Sequence, residues 1–352
     1  MKVWRRLQFG RIVTPIPDRS RPVYRWFQME ESFSSQLVLT LCSLWEVGED
    51  SLVLDPFCGA GTTPLACREI GVPSIGFDVH PLCLFVSKAK TADYDLGALE
   101  EGMGRVLGAG AVEERPPPWV ERYFPPGVLP EISGVKREAE RIGRKERMFF
   151  LLGLVRAAMA CSWARVDGAV LKVKRRRVGP FRRILSRILS EMLEDLRKFG
   201  ARGSEPRIEE CDARRMDLPE ASVDAVITSP PYLFKDEYVR VHRLEEWLLS
   251  LRPKPPEMFF RSSDQEEYFS DMREFIGELA RVLKPGGLSC LVVADGCSAR
   301  GVVRVVDRIC QMAGESGLSV KKVMLVNERW CTTPSRRKIG RAGEYIFILQ
   351  KR

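Results

Sequence analysis

Asparagine is almost missing from this chain: Asn327 is the only one in 352 residues, and glutamine is scarce as well. Depletion of heat-labile amides in a chain that is 29% charged fits a hyperthermophile. Histidine is equally sparse, with His80 and His242 alone, and the ten cysteines contain no C-x-x-C spacing. Zinc ligation and histidine-based triads are therefore not expected, and no metal is assigned. Most of the cysteines lie in apolar stretches and read as small core residues. No apolar run is long enough to cross a bilayer, since the longest, Met148 to Val155, stops at Arg156. The first residues, Met1-Lys2-Val3-Trp4-Arg5-Arg6, have no apolar stretch of the secretory kind, so a cytoplasmic location with no membrane partner is expected. There is no internal repeat and no low-complexity tract.

What is present is enough apolar sequence for a large core, together with a net charge of +9 that suits a polyanionic partner. Residues 1–22 are basic and proline-rich. Phe33, Leu37, Leu41 and Leu44 then fall at helical spacing between Glu30 and Trp45. Next, Ser51-Leu52-Val53-Leu54-Asp55-Pro56-Phe57-Cys58-Gly59-Ala60-Gly61-Thr62-Thr63 reads as an apolar strand running into a Gly-rich turn, and a helix follows from about Thr63 to Ile70. Glycines at 59 and 61 let backbone approach a ligand, and the helix start offers free N–H groups. This is not a P-loop, because Gly-Lys-Ser/Thr is absent, nor G-x-G-x-x-G, because Pro64 takes the third glycine's place. Ser74 to Asp78 reads as a second strand tipped by an acid, suited to ribose hydroxyls. His242, in a helix spanning Tyr238 to Leu251, reads as a helix-surface or packing residue rather than a base.

Residues 93–204 differ in character. Proline-rich loops precede helical patterns over Ile132 to Trp163 and Pro180 to Phe199, with Lys172-Val173-Lys174-Arg175-Arg176-Arg177 between them and Arg182, Arg183 and Arg187 beyond. Arginines around a turn suit phosphate contacts, although a solvated charged face gives the same pattern. The α/β pattern returns at Arg207 to Asp212. It leads to Val223-Asp224-Ala225-Val226-Ile227, a buried parallel strand, and then to Thr228-Ser229-Pro230-Pro231-Tyr232. Two prolines cannot continue a strand, so the chain must leave the sheet as a stiff turn presenting a hydroxyl, a free carbonyl and an aromatic ring. A helix over Gln265–Leu283, closed by Lys284-Pro285-Gly286-Gly287, a strand over Leu288–Ala294 and a helix near Val302–Ala313 follow. A terminal antiparallel hairpin (Val320–Val326 with Glu344–Leu349) spans the basic loop Ser335-Arg336-Arg337-Lys338.

Asp55-Pro56-Phe57-Cys58-Gly59-Ala60-Gly61-Thr62-Thr63 resembles the S-adenosylmethionine motif of the amino-methylating nucleic-acid methyltransferases, the N4-cytosine and N6-adenine methylases. Ser229-Pro230-Pro231-Tyr232 resembles their catalytic motif, and Gly76 to Leu82, Val282 to Gly287 and the terminal hairpin match in order. The resemblance implies an α/β, Rossmann-like class I methyltransferase fold, with a seven-stranded, mostly parallel sheet, helices on both faces and an antiparallel last strand. It also implies S-adenosyl-L-methionine as cofactor. Asp55, Gly59 and Gly61 would hold its methionine end, Asp78 its ribose, and Asp212 its adenine, with Phe33, Phe57 and Thr62 completing the pocket. Ser229, Pro230, Pro231 and Tyr232 would be catalytic, and serine at the first of these positions accompanies cytosine-N4 methylation. Residues 1–92 and 205–352 would form the two halves of the catalytic domain. The insertion, 93–204, would meet nucleic acid around Lys172 to Arg187. Structured RNA, ribosomal RNA included, is favoured over DNA, because the insertion has few side chains suited to reading base edges. The alternatives are a site-specific DNA methyltransferase, a small-molecule methyltransferase and a binding relative without activity.

Overall fold

The structure is a computed structural model and describes residues 2–167, 170–235, 241–298, 300–332 and 338–352. Short β-branched and apolar runs form the sheet. Its central strands are β2 (Val53–Asp55), β3 (Ser74–Asp78) and β7 (Val223–Thr228), with β6 (Arg207–Glu210) at one edge. β8 (Leu283–Ala294), β11 (Leu318–Thr332) and β12 (Lys338–Lys351) follow on the other side, and the order is β1-β11-β12-β8-β7-β2-β3-β6. β2, β3, β6, β7 and β8 pair in parallel, while β12 runs antiparallel to both β8 and β11. This is the class I methyltransferase sheet with one strand added. The addition is β1 (Val3–Arg5), which lies parallel to β11 in a stretch whose basic, proline-rich sequence gives no strand pattern.

Helices cover both faces, because the strands are apolar on both sides. α1 (Ser35–Leu44), α2 (Thr62–Ile70) and α3 (Pro81–Thr91) lie on one face, and α10 (Gln265–Val282) and α11 (Val306–Glu315) on the other. In α1 the expected apolar face is only partly buried: Leu37 and Leu41 are in the core, whereas Leu44 is 71% exposed. Phe33 is buried just ahead of that helix. The residues near Val302 form β10 (Gly301–Val303), paired with β9 (Gly296–Ser298), and the helix begins only at Val306.

Between α3 and β6 lie α4 (Leu96–Gly108), α5 (Pro118–Glu121), α6 (Val128–Ala139), α7 (Arg144–Cys161) and α8 (Phe181–Phe199). They share one hydrophobic core with α1–α3. The basic run is in part a strand, since β5 (Val170–Val173) pairs antiparallel with β4 (Ala164–Asp167). Of the helix expected over 238–251 the structure describes α9 (Arg243–Leu248), which ends before Leu251; residues 236–240 lie outside the described residues, as do 333–337 of the basic loop. His242 packs at the start of α9, its Nδ1 3.1 Å from Glu245 Oε1 and its ring 5.8 Å from Phe27. Two cysteines depart from the expected role as core fillers: Cys297 and Cys331 form a disulfide between β9 and β11.

Asp195 on α8 anchors the insertion. Its carboxylate, 1% exposed, accepts from Arg25 Nε at 2.9 Å, Arg25 Nη2 at 2.7 Å and Trp26 Nε1 at 3.0 Å. Replacing Asp195 with alanine leaves the buried Trp26 N–H and the half-buried Arg25 guanidinium without this partner and is expected to cost about 1–3 kcal/mol. Urea unfolding of Asp195→Ala against wild type measures that loss, and equal midpoints would show that α8 is held by apolar packing alone.

Candidate active site

The sheet order places β2 beside β7, with β3 and β6 running off one way and β8 the other, so the carboxyl ends of β2 and β7 flank the topological switch point. Asp55 ends β2 and Thr228 ends β7. Thr228 Oγ1 donates to Asp55 Oδ1 at 2.6 Å, and the Phe57 N–H donates to the same oxygen at 3.2 Å. The carboxyl group is almost wholly buried, and burial lifts its pKa to about 6; the hydrogen bonds from Thr228 and Phe57 oppose that rise.

The turn after β2 closes tightly, the Gly61 N–H donating to the Cys58 carbonyl at 2.7 Å. Gly59 and Gly61 both take left-handed backbone, with φ of +47° and +76°. A Cβ at Gly61 would come within 2.9 Å of Ser87 Oγ and 3.0 Å of Ser87 Cα, so only glycine fits beneath α3. A Cβ at Gly59 would instead have nothing closer than Met29 Sδ at 3.8 Å, which leaves its outer side open to a ligand. Asp78, at the tip of β3, accepts from the Gly59 N–H at 2.9 Å and from the His80 N–H at 2.8 Å. Each of its oxygens keeps lone pairs for a further donor. Burial raises its pKa too.

The Ser229-Pro230-Pro231-Tyr232 turn stands alongside. Ser229 is half-buried, its Oγ 3.1 Å from the Val292 carbonyl and 3.4 Å from Tyr232 Oη. Donating its one proton to Val292 leaves the Ser229 lone pairs to accept. Tyr232 Oη donates to Glu344 Oε1 at 2.8 Å, and Asn327 Nδ2 reaches the other oxygen of that carboxylate at 3.3 Å. Burial, then the Glu344 charge, drives the Tyr232 hydroxyl far above its ordinary range, and burial raises the Glu344 pKa as well.

One cavity of about 510 Å³ joins the two halves. Phe33, Asp55, Phe57, Gly59, Thr62, Asp78 and Asp212 line it, and so do Ser229, Pro230, Pro231 and Tyr232. Gly61 is the expected residue not at its surface; it shapes the turn from below. Asp212 reaches the cavity already bonded, accepting from Arg214 Nη2 at 2.7 Å and from Arg214 Nε at 3.0 Å. Sequence reasoning missed Glu344, a lone acid at the start of an apolar strand segment, where it reads as a strand-end charge. It also missed the far wall, Lys254 and Met258 to Ser263, whose signal was three bulky apolar residues, Met258, Phe259 and Phe260, in a proline-rich loop. Among the described residues, none of 93–204 lines the cavity. Two of the insertion's arginines serve the fold: Arg176 bonds the Ala160 and Ser162 carbonyls, and Arg182 those of Val106, Leu107 and Ala109.

A family model described as DNA methylase, of the N6/N4 methyltransferases, matches residues 223–352, which hold the catalytic turn and Glu344. Over those residues the chain is similar to the N4/N6 amino-methyltransferase family. S-adenosyl-L-methionine is the cofactor of that family and fold. The acids, the left-handed glycines and the open side of Gly59 fit it. Among curated relatives, the type II methyltransferase M.BsoBI of Geobacillus stearothermophilus is 24% identical over 282 residues, covering 67% of this chain and 54% of that protein. M.AvaI of Nostoc is 40% identical over 72 residues, 20% of this chain and 15% of the relative. M.MjaII of Methanocaldococcus jannaschii is 33% identical over 85 residues, 24% and 16% of the two. The chain thus spans about half the length of the longest-matching relative. A SAM-dependent methyltransferase of Methanosarcina mazei overlays at a TM-score of 0.38 and 10% identity, over 88% of this chain and 96% of that one. Among the described residues no helix is long and apolar enough to cross a membrane.

A buried lysine braces the glycine turn from behind. Lys90 is 3% exposed, its Nζ donating to the Ala60 carbonyl at 2.8 Å and the Phe27 carbonyl at 3.3 Å, and burial lowers its pKa to about 7. Between about pH 7 and the ordinary lysine range the unfolded chain carries one more proton than the folded one at this position, so stability from this group rises with pH across that window. Lys90→Met removes the dependence. Wild type should gain stability relative to Lys90→Met from pH 7 to 10 in urea unfolding, and parallel curves would rule out a near-neutral lysine.

Proposed function

We propose that this chain methylates an exocyclic amino group of a base in DNA, cytosine N4 by preference, with S-adenosylmethionine as methyl donor. The observation that carries this reading is the single cavity in which the acid-and-glycine cradle faces Ser229 and Tyr232. When bound, the cofactor supplies a sulfonium methyl as electrophile. An amino group on a base is a poor nucleophile, because its lone pair is delocalised into the ring. Ser229 Oγ and the Pro230 carbonyl accept its two hydrogens, which lets the nitrogen pyramidalise and direct its lone pair into the cavity. Acceptors fixed in advance by Val292 and the prolines need no rearrangement as charge develops. Tyr232, its hydroxyl held by Glu344, stacks on the base, which must leave the duplex to enter. Asp55, Gly59 and Gly61 hold the methionine end, Asp78 the ribose, and Asp212 stands by the adenine with its charge balanced by Arg214.

DNA is preferred over RNA here because the matching family is described as DNA methylase and the relatives are type II methyltransferases. The RNA reading drew on the scarcity of asparagine and glutamine in the insertion. That scarcity holds along the whole chain, so it does not bear on the substrate. Serine at 229 favours cytosine over adenine. The amide depletion is in keeping with a hyperthermophilic source.

Incubation with methyl-labelled cofactor and unmethylated genomic DNA or total RNA, followed by nucleoside mass spectrometry, tests the proposal. N4-methyldeoxycytidine is expected, with Ser229→Ala losing at least a hundredfold in rate while cofactor affinity is kept. Label in RNA alone, or in N6-methyladenine, would overturn the substrate or base assigned.

The raised pKa of Asp55 gives a second test. If its carboxylate holds the cofactor's ammonium group, only the ionised form binds well, so affinity falls as pH drops through about 6. Calorimetric titration with S-adenosylhomocysteine from pH 5 to 8 should show that loss in wild type and a flat, weak profile in Asp55→Asn. A pH-independent wild-type affinity would remove Asp55 from the ammonium site.

A further inference from the structure

β12 pairs with β8 only as far as Glu344 opposite Ala294, but its pairing with β11 continues from Glu328–Gly343 out to Thr332–Lys338. β11 is parallel to β7, so this overhang rises past the sheet edge at which Ser229 sits. Its root is tied to the active site, because Glu344 holds Tyr232 on one side and Asn327 on the other. Its upper part is braced by the Cys297–Cys331 disulfide and by Gly340, where an added Cβ would meet Val302 Cγ2 at 2.8 Å. The hairpin is thus a stiff arm beside the base pocket.

A second cavity of about 520 Å³ runs between this arm and the N-terminal segment, and Arg5, Arg11, Arg329 and Arg341 line it against a single acid, Glu328. Arg5 bonds Glu328 at 2.6 Å. Trp330 stands at the cavity 47% exposed, with Lys338 Nζ 4.7 Å and the Arg341 guanidinium 4.9 Å from its ring. Trp330 and Arg341 are direct cross-strand partners, so the ring serves as a platform that fixes cations. An exposed tryptophan set among cations, in a groove rich in guanidinium groups, complements a phosphate backbone and offers little to an apolar surface.

We propose that the β11–β12 arm and the N-terminal segment form a phosphate-binding track for DNA beside the base pocket, with Arg11, Arg329 and Arg341 on the phosphates and Trp330 orienting Lys338 and Arg341. This rests on the reading of the chain as a DNA methyltransferase, and it moves the main DNA contact away from the insertion. The track sits next to Tyr232 through Glu344, so it holds the strand where an extruded base would enter.

The test is fluorescence anisotropy of a labelled DNA duplex with the full chain and S-adenosylhomocysteine, over a range of salt. Arg329→Ala/Arg341→Ala should weaken binding at least tenfold and reduce the slope of log K against log salt by about 2. Calorimetric affinity for S-adenosylhomocysteine and the melting temperature should be unchanged. Trp330→Ala should weaken binding less, and Lys172→Ala/Lys174→Ala/Arg175→Ala on the insertion should have the smallest effect. Wild-type affinity and slope in the arm variant, or a larger loss in the insertion variant, would overturn the track. Tighter binding to single-stranded RNA of the same sequence would overturn DNA as its occupant. The readout is binding alone, so a chain that binds through the arm but transfers no methyl group would contradict the proposed activity and leave the track standing.

Discussion

The hydrogen bond from Thr228 to Asp55 joins the carboxyl ends of two adjacent central strands, and both functional motifs begin where it lies. Asp55 opens the glycine turn, and Thr228 immediately precedes Ser229. Because Asp55 is buried, each hydrogen bond to its ionised form counts for about 1.5–3 kcal/mol and holds down a pKa that burial alone would raise further. The same bond ties the glycine turn to the Ser229 turn across the ends of the paired strands. Thr63 reinforces the junction, its hydroxyl donating to the Ile227 carbonyl at 3.2 Å and so tying the start of α2 to β7.

Local rules made the junction legible in the sequence. A β-branched run ended by two prolines can only be a strand leaving a sheet, and glycines at 59 and 61 after an apolar strand can only be a turn that backbone or ligand approaches closely. Those inferences placed Asp78 and Ser229 at strand ends, the family resemblance added Asp55, and the structure brings all three into one cavity. β1 escaped detection because three residues added at a sheet edge depend on β11 for their pairing and have no periodicity of their own. Glu344 escaped because its role depends on Tyr232, 112 positions away in sequence. The disulfide escaped for a similar reason, since Cys297 and Cys331 carry no spacing that distinguishes them from the buried thiols.

The basic insertion teaches a different lesson. A run of arginines and lysines has one appearance in sequence, whether the side chains face a polyanion or cap the ends of helices. Arg176 and Arg182 cap carbonyls, and Asp195 fastens α8 to the N-terminal segment. Much of the insertion therefore buttresses the face of the sheet that carries α1 to α3. Lys254 and Arg261 bring charge to the wall of the main cavity, while the arginines of the second cavity come from the two ends of the chain, brought together by the pairing of β1 with β11.

The measurement closest to the centre of this account is the pH dependence of S-adenosylhomocysteine affinity in Thr228→Val. Valine keeps the β-branched shape but removes the hydroxyl, so the Asp55 carboxyl loses a bond that favours its ionised form. The account predicts that the pH at which affinity is half lost moves up by about one unit relative to wild type, with weaker binding near neutrality. An unchanged midpoint and affinity would mean that the two strand ends do not control the cofactor site, and the coupling of cradle to catalytic turn would have to be sought elsewhere.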